Sequence, residues 1–490
     1  MNYLAFDLGG SGGKLNLCRF DGERLFLEDI LRFGNEPIAV GDCLYWDFLN
    51  IHSRMNQGIR KAASIAEGPI RSIGMDSFSN DFSLIDARGE MLTPLRSYRD
   101  KRTERHKAAI YAKLSPRKLY ELTGNQVAPF NTLMQLAAMR EAGQGFLLDN
   151  AHKLLFTPDL LAYYLTGEAS SEYTIASVSQ MFDFSTGDWS DEILKAFGIP
   201  RKLLCGIVKP GTVVGRSRAA YNREQGIQGF DVVSVCEHDT ASAFLAAVSA
   251  GDRAIISSGT WSLVGTEVPA PIIDSFGYRH NIANEGGLGN RHRLVRNVMG
   301  LWIVQELGRL YKSRGQDIGF EDMETAAEAS APFAYRIDPD DPVFFSPDNM
   351  EDAIFGHCRE RGGAVPQSMG QTIRCVLESL AFKYRWAIEK MEGLTGRPLP
   401  LVNIVGGGSR NRLLCRFTAN ACGRPVLAGP SDATVLGNVL VQLLADRSIS
   451  SIEDGKALVR NSFPIEEYLP LEQKLWEEKY LDFKDHFNLD

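Results

Sequence analysis

Three stretches of this chain carry residue types that could handle phosphate chemistry. The first is Asp7 followed by Gly9-Gly10-Ser11-Gly12-Gly13-Lys14. Glycine lacks a Cβ, so consecutive backbone amides can close around an anion as a concave nest. Ser11 adds a hydroxyl and Lys14 a charge. An Asp at the end of the preceding strand can hold Mg²⁺, directly or through water. The second stretch is Val235-Cys236-Glu237-His238-Asp239-Thr240-Ala241-Ser242-Ala243. Ionisable groups interrupt an apolar context there, which is unusual unless they are paired or functional. A carboxylate at Asp239 could accept the proton of a hydroxyl as it attacks a γ-phosphate. The third is Gly406-Gly407-Gly408-Ser409-Arg410-Asn411, after an apolar run at 401–405. Adenine, ribose or another backbone could approach its glycines, with Asn411 as polar anchor or helix cap. Each stretch also has a plainer reading: a glycine-rich hairpin capped by Asp7, a helix cap at Asp239 or Thr240, and a tight strand-to-helix connection.

The flanking elements narrow these readings. A strand at 3–8 enters the first glycine cluster and a second strand-like run, 14–20, leaves it, so the glycines form a hairpin turn. The nucleotide P-loop pattern fails, because Leu15 follows Lys14 where Ser or Thr is needed, and Leu15 also breaks the dinucleotide fingerprint. A similar unit recurs: strand-like 254–258, a Gly259-Thr260 turn, and strand-like 261–268. Two such units imply duplicated domains, 1–249 and 250–490, with the boundary near Ser249-Ala250-Gly251-Asp252. Helical periodicity runs through 130–142, 369–393 and 411–422; another helix follows the turn at 429–432, and the tail after Pro464 reads as a surface helix. Strands alternating with helices give an α/β class with mixed sheets.

Composition sets outer limits. At 490 residues the chain exceeds the size at which one core stops growing. A formal net charge of −8 argues against a nucleic-acid partner, whose phosphates demand Lys and Arg. No signal-peptide pattern opens the sequence, and no apolar run approaches the ~20 residues of a membrane span. The expected location is the cytoplasm. The eight cysteines form no Cys-x-x-Cys pair, so no zinc site is expected. They read as free thiols in a reducing compartment, with Cys358 and Cys375 the pair that could join.

Taken in order, these pieces resemble the FGGY carbohydrate kinase family, and within it the rhamnulokinases, from Asp7 to about Pro464. The resemblance is carried by Asp7-Leu8-Gly9 with its Gly-Lys turn, Gly74-Met75-Asp76 through Asp81-Phe82, Tyr98-Arg99-Asp100-x-Arg102-Thr103 and Pro129-Phe130-Asn131-Thr132-Leu133-x-Gln135-Leu136. It continues through Pro158-Asp159, Glu172-Tyr173-Thr174, His238-Asp239-Thr240, Ser257-Ser258-Gly259-Thr260-Trp261, Asn284-Glu285-Gly286-Gly287, Asn297-x-Met299-Gly300-Leu301-Trp302, the triple glycine and Leu436-Gly437-Asn438. It implies two actin-like (ribonuclease H-like) domains around a central cleft, with ATP and Mg²⁺, and sugar held mainly by the N-terminal domain. Asp239 would be the base and Asp7 would lie near the metal. Gly10, Ser11, Gly12, Gly13, Lys14, Gly259, Thr260, Asn297, Gln305, Gly406, Gly407 and Asn411 would serve the nucleotide. Phe78, Ser79, Asn80, Asn131, His238, Asp239 and Thr240 would line the sugar.

Rhamnulokinases usually carry Asp-Thr-Trp-Gly-Val-Asp where this chain has Asp76-Ser77-Phe78-Ser79-Asn80-Asp81. Gly12 and Asp432 are milder departures. A site that hydrogen-bonds a substrate hydroxyl rejects analogues lacking it. The acceptor implied is therefore L-rhamnulose or a related ketose such as L-fuculose or a ketopentose, phosphorylated at a primary hydroxyl. The alternatives are a kinase for another sugar or polyol on the same fold, or a non-catalytic sugar sensor.

Overall fold

The strand Asn2–Leu8 is apolar apart from Asn2 and Asp7, as a strand covered on both faces must be. A computed structural model, describing every residue except Asn290, places it inside a six-stranded sheet. The order is Thr212–Arg216, Asp231–Ser234, Ile70–Ser77, Asn2–Leu8, Gly12–Phe20, Leu25–Gly34. The first glycine cluster is a hairpin turn as expected, with Leu8 opposite Gly13 in an antiparallel pair. Ile70–Ser77 runs parallel to Asn2–Leu8, and Asp231–Ser234 runs parallel to Ile70–Ser77. Three parallel strands therefore end at the same edge, where ligands of open α/β sheets bind.

The chain divides into two compact units, and both are discontinuous. The first comprises Met1–Ala246, Glu267–Leu294 and Ala433–Ser462. Its last segment contributes the helix Ala433–Ala445, whose Gln442 donates to the Leu4 carbonyl (2.9 Å) and accepts from Ser72 (2.6 Å). The second comprises Ala247–Thr266, Val295–Asp432 and Phe463–Asp490. The chain first crosses between Ala246 and Ala247 and returns to the first unit at Glu267–Leu294 and Ala433–Ser462.

In the second unit Ala254–Ser258 and the start of Trp261–Val268 form the expected second hairpin, with Ser258 opposite Ser262. Val402–Val405 and Val426–Ala428 extend it in parallel. The helix Met369–Thr395 is capped by Ser368, which accepts from the Gln371 N–H, and stopped by Gly396 in the left-handed region. The tail differs from the plain surface helix expected. Glu466–Tyr468 adds an antiparallel strand beside Val426–Ala428. Gln473–Phe487 buries Trp476, Tyr480, Phe483 and Phe487, a stripe at helical spacing that packs on Phe382 and Phe417. All eight cysteines are free thiols, Cys358 and Cys375 included. No helix among the described residues is long and apolar enough to cross a membrane.

Candidate active site

The parallel register sets Asp7 beside Asp76 at the ends of their strands. Asp239 follows the third strand, at the start of the helix Asp239–Leu245. Asp76 is fully buried; its Oδ2 accepts from Asn438 (2.6 Å), while Oδ1 has no partner. Burial, and then the negative charges of Asp7 and Asp239, push its carboxyl well above the ordinary range, against the pull of Asn438. Lys14 Nζ lies 3.4 Å from Asp7.

The Asp239 side chain keeps 30% exposure. Surrounding protein nonetheless raises its pKa, His238 opposing and Asp7 adding to the shift. Its Oδ1 accepts from the Thr240 N–H (2.5 Å) and the Thr240 hydroxyl (3.1 Å), and His238 Nε2 faces the same oxygen at 3.6 Å. Glu237 points elsewhere. It joins Asp159 and Glu172 in a second, sealed group of carboxyls. There Glu172 accepts from the N–H groups of Thr174 (2.7 Å), Ile175 (3.0 Å) and Glu237 (3.2 Å), and Thr174 Oγ1 accepts from the His238 N–H at 3.2 Å. These bonds fix the backbone immediately before Asp239.

A Cβ at position 10 would stand 2.7 Å from the Tyr98 hydroxyl, so any side chain there must displace Tyr98. Tyr98 belongs to an aromatic wall. Trp46 stacks on Phe78 with centroids 4.6 Å apart, Phe78 meets Tyr98 at 5.8 Å, and Tyr98 meets Phe130 at 6.2 Å. Asp81 anchors the wall, accepting from Trp46 Nε1 (2.7 Å), the Tyr98 N–H (2.8 Å) and Gln135 (2.9 Å). Burial pushes its carboxyl up to about 6 despite these donors. Phe78 is therefore packed, Ser79 is half-buried, and Asn80 is buried with a positive φ of 76°. The Asn80 carboxamide is used internally, its oxygen accepting from the Thr132 N–H and its nitrogen donating to Ser79. Asn131 donates to the Gln126 carbonyl (2.8 Å), but its buried Oδ1 has no partner.

The second unit gathers its own set. The Gly259 and Thr260 carbonyls accept from the N–H groups of Leu301 and Trp302, at the start of the helix Trp302–Ser313, and the Thr260 hydroxyl bonds Gln305 at 3.3 Å. The triple glycine packs on the same hairpin: a Cβ on Gly408 would fall 2.0 Å from Ser258 Oγ. Gly406 adopts φ +82°, while a Cβ on Gly407 would meet nothing. Asn411 caps the helix Arg412–Cys422, accepting from the Leu414 N–H at 2.8 Å. Asn297 is half-buried on the strand His292–Met299.

The model of the FGGY carbohydrate kinase N-terminal domain matches residues 3–246, and that of the C-terminal domain matches 254–445. The chain belongs to the FGGY family of carbohydrate kinases. It is 38% identical to a rhamnulokinase of Bacteroides thetaiotaomicron over 99% of both chains. It is 34% identical to a rhamnulokinase of Bacillus subtilis over 96% of both. Its fold matches ligand-bound xylulose kinase from Lactobacillus acidophilus with a TM-score of 0.83, at 15% identity, covering 99% of this chain and 98% of that one. The FGGY kinase fold here is accordingly α/β, built on two actin-like units, and kinases of this family use ATP.

Sequence reasoning passed over three functional candidates of this FGGY kinase. Asp76 was visible as the end of a Gly-Met-Asp strand resembling the one that ends in Asp7, but its adjacency to Asp7 follows from strand register. Glu285 and Arg293 carried no local signal of their proximity to His238.

Proposed function

We propose that this kinase transfers the γ-phosphoryl group of ATP to a primary hydroxyl of a ketose, L-rhamnulose in first place, with Asp239 as general base. The observation that carries this is the convergence of Asp7, Asp76 and Asp239 at one edge of the sheet, with Asp239 alone substantially open and raised in pKa. A base works best when its pKa approaches the operating pH. Oδ1 of Asp239 is held by Thr240, so Oδ2 accepts the sugar's proton as the sugar oxygen attacks the γ-phosphorus and ADP leaves.

The Gly10 to Lys14 turn presents backbone N–H groups and an ammonium to the phosphates. Gly259, Thr260, Asn297, Gln305, Gly406, Gly407 and Asn411 serve the nucleotide. Asp7 and the unpartnered Oδ1 of Asp76 fit Mg²⁺, which would neutralise charge on the phosphates. Among the described residues no group of three or more His, Cys, Asp or Glu could hold a metal alone. Mg²⁺ takes one or two carboxylates and completes its shell with water and substrate phosphates.

Two rhamnulokinase relatives over nearly the full length support L-rhamnulose. The Ser77–Asn80 departures give less reason for a different ketose than the residue types suggest, since Phe78 packs on Trp46 and the Asn80 amide is spent within the protein. The unpartnered Oδ1 of buried Asn131 is the polar group that supports sugar recognition. An ADP-release screen over ketoses, aldoses and polyols tests the reading. L-Rhamnulose should give the highest kcat/KM; preference for a polyol or an aldose would overturn it.

A further inference from the structure

Behind His238 lies a buried ion pair that the reaction as described leaves without a role. Arg293 and Glu285 are 1% and 2% exposed and stand 2.8 Å apart. Burying two charges costs more than their attraction commonly returns, so such a pair is weak evidence of a stabilising purpose. Arg293 is held on several sides. Its Nε donates to the Gly286 carbonyl (3.0 Å), and its guanidinium lies over the Phe244 ring at 5.5 Å. One terminal nitrogen meets His238 Nδ1 at 3.2 Å.

A guanidinium has donors and no acceptor. The Arg293 contact therefore needs a lone pair on His238 Nδ1, which puts the ring proton of the neutral imidazole on Nε2. That nitrogen faces Asp239 Oδ1 at 3.6 Å. The other tautomer would direct Nδ1–H toward Glu285 at 3.4 Å, but it would also set an N–H against the Arg293 donor. Glu285, held ionised by Arg293 against its burial, fixes the guanidinium in place.

We propose that Glu285 and Arg293 are positioning residues for the base. The guanidinium sets the His238 tautomer, Nε2–H is presented to Asp239 Oδ1, and Oδ2 is left aimed at the sugar hydroxyl. The 3.6 Å separation is long for a hydrogen bond, and contacts of this kind tighten when substrate loads. The proposal rests on Asp239 being the base.

The test measures kcat and both KM values with L-rhamnulose and MgATP. Glu285→Gln loosens Arg293 and should lower kcat by about 10- to 100-fold, the usual effect of losing an orienting partner, with both KM values within about threefold. His238→Gln carries its amide nitrogen where Nε2 was, and His238→Asn carries it where Nδ1 was. The Gln variant should therefore retain at least about tenfold more kcat than the Asn variant. In the His238→Gln background, adding Glu285→Gln should cost less than about threefold, because coupled residues are not additive. Equal kcat for the Gln and Asn variants overturns the proposal, and so does a folded Glu285→Gln with unchanged kcat or with its loss confined to the sugar KM. Should Glu285→Gln fail to fold, the His238 pair decides alone. Asp239→Asn separates the two readings: wild-type kcat there sinks the base itself, whereas an inactive Asp239→Asn beside equal His238 variants sinks only the relay.

Discussion

The first unit holds two groups of three carboxyls, and they serve opposite ends. Asp7, Asp76 and Asp239 end on a partly open edge, with one buried oxygen unpartnered. Asp159, Glu172 and Glu237 are sealed from solvent. Burial raises Asp76 and Asp239 in the first group and Asp159, Glu172 and Glu237 in the second. Access is what differs. Glu172 takes three backbone N–H groups and the Thr174 hydroxyl. Asp159 pushes the Glu237 carboxyl further up, and each keeps one buried oxygen without a partner. The sealed group holds the segment before Asp239 and is closed to a ligand; the open group can be reached by one. A shifted carboxyl marks a functional site only when it also remains reachable.

The largest effect should come from Asp239→Asn. Loss of a general base lowers kcat by about 10²–10⁴-fold, and the melting temperature should barely move. A variant turning over at the wild-type rate would make the open group as structural as the sealed one. Asp7→Asn comes next: the Mg²⁺ concentration for half-maximal rate should rise by at least about tenfold, the scale of a perturbed metal shell. An unchanged Mg²⁺ titration would remove Asp7 from the metal.

The smallest effect concerns the sealed group and is read in stability. Glu172 is raised to about 7 and Glu237 is raised well above its ordinary range, burial being the first cause in each. An acid raised on folding contributes stability at low pH and loses it as pH climbs through the folded value. The wild-type melting temperature should therefore fall as pH rises through about 7. Glu237→Gln removes one ionisation from the group and should lessen that fall by about 2–4 °C, the shift that about 1 kcal/mol makes in a domain of 150–250 residues. Its kcat should stay within about threefold of wild type. A steeper pH dependence, or a kcat loss like that of Asp239→Asn, would erase the distinction between the groups.

Much of the active edge could be read in the residues alone. The hairpin glycines, the strand ending in Asp7 and the His-Asp-Thr run all announce themselves over a few consecutive positions. Asn411 was readable as an anchor or a cap, and its bond to the Leu414 N–H shows the cap. The tail misled because a strand of three residues, Glu466–Tyr468, gives no periodic signal, and its register comes from the neighbouring Val426–Ala428 strand.

By itself the sequence determined the α/β class, the two hairpins and the His-Asp-Thr run that carries the proposed base, because glycine turns, apolar strands and an ionisable interruption are local properties of the chain. Tertiary structure alone decided that Asp76 stands beside Asp7, that Glu237 turns away from Asp239, and that Glu285 and Arg293 back His238. Strand register and burial are pairwise and long-range. The cost of a charge, and hence its pKa and its partner, is fixed only by what the fold packs around it.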